Sequence, residues 1–231
     1  MKKKIIAVIP AFNEAETIGQ VITRTKPYVD GVIVADDGSR DETISIAQAA
    51  GAVVITHKVN LGVGKTISDG IKKALEDNAD IIVTLDADGQ HRPLHIPTLV
   101  APIKSGQYDI VIGSRFLNNT NIGTTSPLKY VGNLIFSWLL RRLLRLKLTD
   151  FQSGFRAIER KAAKQITLKH RHTYTHEMIV DAYKKGLKIT EIPMTVNGRL
   201  YGDSKVVTNI IKYVIAQVYI IVSTLMRKKK Q

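Results

Sequence analysis

The chain has 231 residues, of which 44% are hydrophobic and 23% are charged, and it contains no cysteine. This composition supports a packed core and excludes a disordered or disulfide-stabilised protein. The formal net charge of +14 favours anionic partners, among them phosphorylated ligands, anionic membranes and nucleic acid. The apolar run after Met1-Lys2-Lys3-Lys4 is too short for a signal peptide, so we expect a cytosolic protein.

Strand-like and helix-like segments alternate over the first hundred residues. Apolar, β-branched runs predict five strands, at Ile5–Ile9, Val32–Ala35, Ala52–Thr56, Asp80–Leu85 and Asp109–Gly113. Helices are predicted between them, at Glu14–Lys26, Asp41–Ala50, Gly62–Glu76 and 93–104. This alternation predicts a three-layer α/β fold, in which helices cover both faces of a mostly parallel sheet.

An acidic turn follows the fourth predicted strand. Asp86 and Asp88 are one residue apart, and Gln90 comes two residues later. Open α/β sheets bind their ligands at the carboxyl ends of the strands. Carboxylate and amide oxygens suit Mg²⁺ or Mn²⁺. We therefore interpret this turn as a divalent metal site that holds a diphosphate; the alternative is a turn that caps the next helix.

A second acidic pair, Asp36-Asp37, ends the second predicted strand at the same edge of the sheet. One of these carboxylates can accept the N–H edge of a nucleobase. The Gly-rich segment 60–66 is not a P-loop, because position 59 is Val where that motif needs Gly. We expect its glycines to let the backbone approach a ligand. Lys65 lies either near a phosphate or simply on the surface.

Two apolar segments with basic residues suggest contact with a membrane surface. Leu128–Lys147 is predicted to be a helix, either membrane-surface or packed on the core with a basic edge. Val206–Met226 is apolar enough to approach a bilayer span. A helical wheel groups Ile215, Val218, Ile221 and Val222 with the other apolar residues of one face, but Lys212 favours an in-plane helix over a spanning one. The alternative is a helix packed on the domain core or on a second subunit. We expect a catalytic domain at 1–205 and a membrane-associating helix with a polybasic tail at 206–231.

Arg199 and Lys205 lie six residues apart around a glycine, which suits a flexible clasp on a diphosphate. The histidines show no metal-ligand spacing. For His91 we expect a supporting or surface role.

In ordered combination, these motifs resemble the family-2 glycosyltransferases of GT-A fold, and especially the dolichyl- or polyprenyl-phosphate sugar synthases. The resemblance covers residues 5–205. It is carried by Ile9-Pro10-Ala11-Phe12-Asn13-Glu14, Asp36-Asp37-Gly38-Ser39, Asn60-Leu61-Gly62-Val63-Gly64-Lys65, Asp86-Ala87-Asp88-Gly89-Gln90-His91, Gly113-Ser114-Arg115, Ser153-Gly154-Phe155-Arg156, Glu191-Ile192-Pro193 and Arg199…Lys205.

The resemblance implies a role for each matching position. The donor would be bound by Pro10, Phe12, Asn13, Glu14, Asp37, Lys65, Asp86, Ala87, Asp88, Arg199 and Lys205. Asp86, Asp88 and Gln90 would bind Mg²⁺ or Mn²⁺, and Arg115 with Lys129 would hold the acceptor phosphate. The catalytic set would be Asp88, Arg115, Lys129, Arg199 and Lys205. Lys129 stands where the family has Arg, Phe12 where Tyr is common, and Phe151-Gln152 where mannose synthases have Pro-Thr.

The implied reaction is inverting transfer of a hexosyl group from a nucleotide sugar (GDP-mannose, UDP-glucose or UDP-GlcNAc) to dolichyl or polyprenyl phosphate. The implied location is peripheral, at the cytoplasmic face of an anionic membrane. A second copy of the chain or a membrane subunit stays open as a partner.

Other functions fit fewer motifs. A family-2 transferase with a soluble saccharide acceptor needs a carboxylate base, for which Asp150 or Glu177 is available. A nucleotidyltransferase lacks its Gly-rich, basic signature after the first strand. A nucleic-acid-binding protein would leave both acidic motifs unexplained, so we expect no nucleic acid partner.

Overall fold

The structure is a computed structural model that describes residues 2–117, 137, 140–171, 173–196 and 210–227, with side chains from residue 215 onward in the last segment. The strands are β1 (Ile5–Ala11), β2 (Gly31–Asp36), β3 (Val53–Thr56), β4 (Ile81–Thr84), β5 (Ile110–Ser114), β6 (Arg156–Glu159) and β7 (Ile189–Pro193). The α-helices are α1 (Ala15–Thr25), α2 (Thr43–Ala49), α3 (Val63–Glu76), α4 (Ile96–Lys104), α5 (Arg160–Gln165), α6 (Thr175–Lys184) and α7 (Ile210–Met226). Residues 140–144 are also helical.

The seven strands form one sheet in the order β3-β2-β1-β4-β6-β5-β7. β6 runs antiparallel to both of its neighbours, and every other pair is parallel. The carboxyl ends of β1, β2, β4 and β5 therefore share one edge. Because β6 is reversed, its first residue, Arg156, lies at that same edge and pairs with Ile112 of β5. The chain consequently leaves and re-enters the sheet on the side that carries the acidic turns.

Side chains of successive strand residues enter two different cores. In β1, Ile6 and Val8 belong to the core beneath α3, α6 and α7. Ile5, Ala7 and Ile9 belong to the core beneath α1 and α4. This alternation follows from the two-residue period of a strand, and each fully buried Ile contributes roughly 2 kcal/mol. The predicted three-layer, mostly parallel fold is confirmed, with each of the five predicted strands present.

The second predicted membrane segment is helical over Ile210–Met226 and packs against α6. Its buried side carries Gln217, Ile220, Ile221 and Thr224, at the spacing of one helix face. The opposite side is apolar and 43 to 78% exposed, at Ile215, Val218, Tyr219, Val222 and Met226. The wheel grouped Ile221 with Ile215, Val218 and Val222, but the structure separates it from them. The helix is apolar on more than one side, and packing on α6 selects which side is covered.

The end of α7 is fixed by polar contacts with α6. The Arg227 guanidinium lies 2.5 Å from Oε1 of Glu177, which is fully buried. Lys184 Nζ donates a hydrogen bond to the carbonyl oxygen of Thr224 at 2.7 Å. The division into units at 1–205 and 206–231 stays a prediction.

The first predicted membrane segment, 128–147, lies partly outside the described residues. In the described part the helix ends at Leu144, three residues before the predicted end, because Arg145 has a positive φ of 52°. Leu140 and Leu144 are buried, whereas Arg142, Arg145 and Lys147 are exposed. This is the core-packed arrangement with a basic edge. Within the described residues, no helix combines the length and the apolar composition that crossing a membrane requires.

Candidate active site

The acidic turn after β4 combines an accessible carboxylate with a nearly buried one. The Asp86 side chain is 43% exposed, whereas Asp88 is 9% exposed and Ala87 is buried. Asp88 Oδ1 accepts a hydrogen bond from the backbone N–H of Gln90 at 3.0 Å. Short polar side chains that bind the backbone two residues on stabilise tight turns. The three potential oxygen ligands therefore belong to one compact turn.

His91 stabilises this turn through its backbone. Its ring stacks on Phe155 with centroids 5.3 Å apart, and its Nδ1 accepts the backbone N–H of Asp86 at 3.1 Å. Burial lowers the pKa of His91 to about 4, and the nearby Asp88 charge opposes that shift. The imidazole is therefore neutral at pH 7, with its proton on Nε2. It fixes the backbone of Asp86 without adding a positive charge that would compete with a metal ion.

Gly154 forms the floor beneath the Asp86 carboxylate. A Cβ at Gly154 would lie 2.8 and 3.0 Å from the two Asp86 oxygens and 3.0 Å from the Tyr174 hydroxyl. The Gly154 carbonyl accepts hydrogen bonds from Thr84 Oγ1 at 2.7 Å and from the Tyr174 hydroxyl at 3.3 Å. Burial and the Asp86 charge raise the pKa of Tyr174 above its ordinary value. Only a residue without a side chain allows the carboxylate to approach this closely.

A fully buried arginine holds the turn that contains Gly154. Arg156 donates hydrogen bonds to the carbonyl oxygens of Ser153, Phe151 and Thr175 at 2.8, 3.0 and 2.8 Å. Burial lowers its pKa to about 10, so it remains charged at pH 7. It thus ties the turn to the N-terminus of α6 and adds a positive charge beneath the acidic site.

Arg115, the first residue after β5, forms a bidentate pair with Asp150. Its Nε lies 2.7 Å from Oδ2 and its Nη2 2.9 Å from Oδ1. Burial by itself would raise the pKa of Asp150, but the Arg115 charge and hydrogen bonds lower it below the ordinary value. Two parallel bonds hold a guanidinium plane in one orientation. Arg115 is thereby fixed at the edge of the sheet with 26% of its side chain exposed.

Asp37 ties the end of β2 to the Gly-rich segment. Its carboxylate accepts the backbone N–H groups of Leu61 and Gly62, each at 2.8 Å. The glycines of this segment do not face an open space: a Cβ at Gly64 would lie 1.9 Å from the His170 carbonyl oxygen. The expectation that they let the backbone approach a ligand was therefore wrong. They let it approach the chain at residues 170–171.

Lys65 forms an ion pair with Asp69, one helical turn further along α3, at 2.5 Å. Its side chain is half exposed. The sequence left Lys65 either near a phosphate or on the surface. In the structure it is a surface lysine paired with a residue of its own helix.

The loops after β1 and β2 are joined by backbone-to-side-chain hydrogen bonds. Asn13, at a positive φ of 53°, donates its N–H to Ser39 Oγ at 2.9 Å and accepts the Arg40 N–H at Oδ1 at 2.9 Å. The Glu14 N–H donates to Thr43 Oγ1 at 2.8 Å. Pro10 and Phe12 lie half-buried in the same loop. Four of the positions expected to hold the nucleoside thus form one connected surface beside Asp37.

The structure collects Asp86, Asp88, Gln90, Arg115 and Asp37 at one edge of the sheet. Lys129, Arg199 and Lys205 lie outside the described residues. Four supporting side chains were not predicted from the sequence: Thr84, Tyr174, His57 and Asp69. Among these, only His57 gave a signal, as a lone polar side chain directly after a strand.

The residues of the acidic turn fit a divalent cation. Two carboxylates and an amide supply hard oxygen atoms. Among the described residues, no group of three or more His, Cys, Asp or Glu side chains forms a complete metal cage. A site with few protein ligands is typical of Mg²⁺ and Mn²⁺ that also bind substrate phosphates.

A mostly parallel α/β sheet with a paired-aspartate turn at its carboxyl edge is typical of glycosyltransferases with the GT-A fold. The profile of glycosyl transferase family 2 matches residues 6–167, and the chain belongs to this family.

Two relatives and one solved structure illustrate the similarity. The chain is 35% identical over 214 residues to the UDP-N-acetylglucosamine–dolichyl-phosphate N-acetylglucosaminyltransferase of Methanococcus voltae, covering 83% of this chain and 85% of that protein. It is 29% identical over 213 residues to the undecaprenyl-phosphate mannosyltransferase of Micrococcus luteus, covering 87% of each. The crystal structure of glucosyl-3-phosphoglycerate synthase from Mycobacterium tuberculosis superposes with a TM-score of 0.73 at 23% identity, covering 97% of this chain and 78% of that one. The last comparison supports the GT-A fold.

Proposed function

We propose that the protein transfers a hexosyl group from a nucleotide sugar to dolichyl or polyprenyl phosphate, with inversion at the anomeric carbon. In this reaction a phosphate oxygen attacks the sugar and a nucleoside diphosphate leaves. The acceptor phosphate is already anionic at neutral pH, so the reaction needs no strong general base.

The contacts of the two candidate bases, Asp150 and Glu177, are the observation on which the choice of a lipid phosphate acceptor rests. A soluble saccharide would have to lose a hydroxyl proton to a carboxylate. Asp150 is bound bidentately by Arg115, and its pKa lies below the ordinary value, which makes it a weak base. Glu177 is fully buried and accepts the backbone N–H groups of Lys169 and His170 beside Arg227. Both carboxylates are therefore engaged structurally, which favours an acceptor that brings its own negative charge.

The buried imidazole of His91 experiences the charges of Asp88 and of the Arg115–Asp150 ion pair. The metal-binding turn and Arg115 therefore lie near one another, which suits a donor diphosphate next to an acceptor phosphate. The two relatives, one named for dolichyl phosphate and the other for undecaprenyl phosphate, support the same acceptor class.

On the donor side, we assign the nucleoside to the loop surface of Pro10, Phe12, Asn13 and Glu14 together with Asp37. Asp86, Asp88 and Gln90 would hold Mg²⁺ or Mn²⁺, with Ala87 beside the donor. Bound metal would offset the charge of the leaving diphosphate. The solved relative was crystallised with Mn²⁺ and UDP. Arg199, Lys205 and Lys129 keep their expected phosphate-binding roles, and Lys65 would have to leave Asp69 to reach the donor.

We further propose that the protein works at the cytoplasmic face of a membrane through the exposed side of α7. That side presents Ile215, Val218, Tyr219 and Val222 in one strip. The exposed residues Arg142, Arg145 and Lys147 come from the other segment that packs on the same core. Apolar side chains next to basic ones bind anionic bilayers.

The membrane proposal is tested with two serine substitutions on the exposed strip, Val218→Ser and Val222→Ser. Because each Val side chain would lose about 1.5 kcal/mol of burial in the bilayer, binding of the double variant to anionic vesicles should fall at least about tenfold. Val53→Ser, on an equally exposed strand residue, is the matched control and should bind like wild type. Unchanged vesicle binding by the double variant would reject this surface.

The reaction itself is tested by incubating the protein with polyprenyl phosphate, Mn²⁺ and each of UDP-GlcNAc, GDP-mannose and UDP-glucose. One donor should yield a lipid-linked sugar, and EDTA should abolish its formation. Asp88→Asn should lose turnover while keeping its melting temperature. Sugar transferred only to a soluble saccharide would reject the lipid acceptor, and near-wild-type turnover of Asp88→Asn would reject the metal assignment.

A further inference from the structure

The imidazole of His57 lies between two carboxylates. Nδ1 is 2.9 Å from Asp37 Oδ1, and Nε2 is 2.9 Å from Asp69 Oδ2. The side chains of His57, Asp37 and Asp69 are 13, 5 and 26% exposed. His57 directly follows β3, Asp37 directly follows β2, and Asp69 lies on α3. The ring thus connects three elements around the expected nucleoside site.

The contacts of Asp37 leave one defined position for a ligand. Each oxygen of a carboxylate accepts two hydrogen bonds. Oδ1 lies within hydrogen-bond distance of His57 Nδ1 and accepts the Leu61 N–H, so among the described residues it has its full complement. Oδ2 accepts only the Gly62 N–H from those residues. A ligand that donates a hydrogen bond to Asp37 would therefore meet Oδ2.

His57 is itself held from behind. Asp69 lies against Nε2, and Lys65 neutralises Asp69 at 2.5 Å. A ring that has a partner at each nitrogen cannot rotate without losing both contacts. The Asp37 carboxylate therefore cannot turn its Oδ1 toward the ligand without losing His57.

We propose that His57, held by Asp69, is a positioning residue that fixes Asp37 so that Oδ2 accepts the imino N–H of the donor nucleobase. This proposal rests on the proposed function, which places the donor nucleoside at Asp37. Uracil and guanine carry an imino N–H at the edge that such a carboxylate reads. Cytosine and adenine carry a lone pair there, which a fixed carboxylate repels. His57 thereby contributes to the choice of nucleotide, because unpaired and repulsive groups discriminate between ligands.

Two substitutions of His57 separate the two ring contacts. The amide nitrogen of Asn lies near the position of Nδ1, and that of Gln lies near Nε2. His57→Asn keeps a donor for Asp37, whereas His57→Gln keeps a group for Asp69 and releases Asp37. The measurement is calorimetric binding of UDP, GDP and CDP to the full chain with Mn²⁺. Wild type should bind UDP or GDP at least about tenfold more tightly than CDP, as expected for one charge-assisted hydrogen bond.

His57→Gln should lose most of that preference, and His57→Asn should keep it. The preference of Asp69→Asn for UDP or GDP over CDP should lie between those of wild type and His57→Gln. Its matched control is Asp77→Asn, which breaks the Lys73–Asp77 pair at the C-terminal end of α3, away from His57. The control should keep the full preference. Melting temperatures establish that each variant is folded.

The possible failures are distinguishable. A wild-type protein that binds none of the three nucleotides overturns the proposed function, and this inference with it. A wild type that prefers UDP or GDP, together with a His57→Gln variant of equal preference, overturns this inference alone. If His57→Gln binds UDP, GDP and CDP more weakly by the same factor, the inference is also overturned, because His57 would then only stabilise the loop.

Discussion

Replacing Gly154 by alanine should move the Asp86 carboxylate without unfolding the protein. The backbone at Gly154 does not adopt the left-handed conformation that excludes alanine. The new methyl group would lie 2.8 Å from Asp86 Oδ1, whereas ordinary contacts begin at 3.4 Å. Asp86 is the partly exposed end of a side chain, so it can yield. The carboxylate should therefore shift by about half an ångström, and the Tyr174 hydroxyl, 3.0 Å from the new methyl group, by a few tenths of an ångström.

The expected loss of activity follows from how small a displacement metal sites and active sites tolerate. Metal–oxygen distances are held to within about 0.2 Å, and a displacement of about 1 Å of a reacting group reduces rates by about a hundredfold. A shift of about half that distance should lower kcat/KM by about tenfold. More Mn²⁺ should also be needed for half-maximal activity. Both quantities are measured with whichever nucleotide sugar the donor panel identifies.

Gly31→Ala is the control for this experiment. A Cβ there meets the Ile6 side chain at 3.8 Å, an ordinary contact. It should leave kcat/KM and the Mn²⁺ requirement unchanged. If Gly154→Ala also keeps kcat/KM within about twofold of wild type, the close approach of Asp86 to Gly154 has no catalytic meaning, and the assignment of Asp86 as a metal ligand loses its support.

Three further predictions concern stability. Gly64→Ala should lower the free energy of unfolding by about 3 kcal/mol in urea titrations, because its methyl group would meet the His170 carbonyl oxygen at 1.9 Å; a loss below about 1 kcal/mol would contradict the packing described. Arg227→Met should cost roughly 2 kcal/mol, since it removes the charged partner of fully buried Glu177, and the loss should largely disappear in a background that already carries Glu177→Gln. Burial lowers the pKa of His176 to about 3, so its unfolded form takes up a proton below about pH 6.5 while its folded form does not; the free energy of unfolding should therefore fall as the pH is lowered from about 6.5, and a similar fall in His176→Gln would assign it to other groups.

The first five strands were predictable because each is a short apolar run between a helix and a turn. β6 was not, because it begins with Arg156. A charged residue is expected in a buried strand only if its charge is satisfied, and here carbonyl oxygens from two separate segments do so. β7 contains Glu191 and ends in Pro193, and it lies at the edge of the sheet, where proline is tolerated. Its sequence lacks the alternation that marks a half-buried strand.

The site was predictable where it depends on one strand end and not where it depends on pairing across the chain. Asp86 and Asp88 follow a buried strand, so their position at the sheet edge follows from the fold. The contact between Arg115 and Asp150 spans 35 residues and depends on the reversed direction of β6. The contact between His57 and Asp69 depends on how α3 lies beside β3. Neither leaves a pattern in a single sequence.

The reversal of β6 also determines which segment of the chain can be exchanged between relatives. Ser114 ends β5, and Arg156 begins the neighbouring strand, so the segment 115–155 starts and finishes at adjacent positions of one rigid sheet. Within this segment Leu140, Leu144, Leu148 and Phe151 are buried in the core beneath α3 and α6, so these positions must stay apolar in any exchange. This segment contains Arg115 and Lys129, the residues assigned to the acceptor. Chimeras joined at residues 114 and 156 that keep these buried residues test the proposed acceptor roles of Arg115 and Lys129, because they should transfer acceptor preference between relatives.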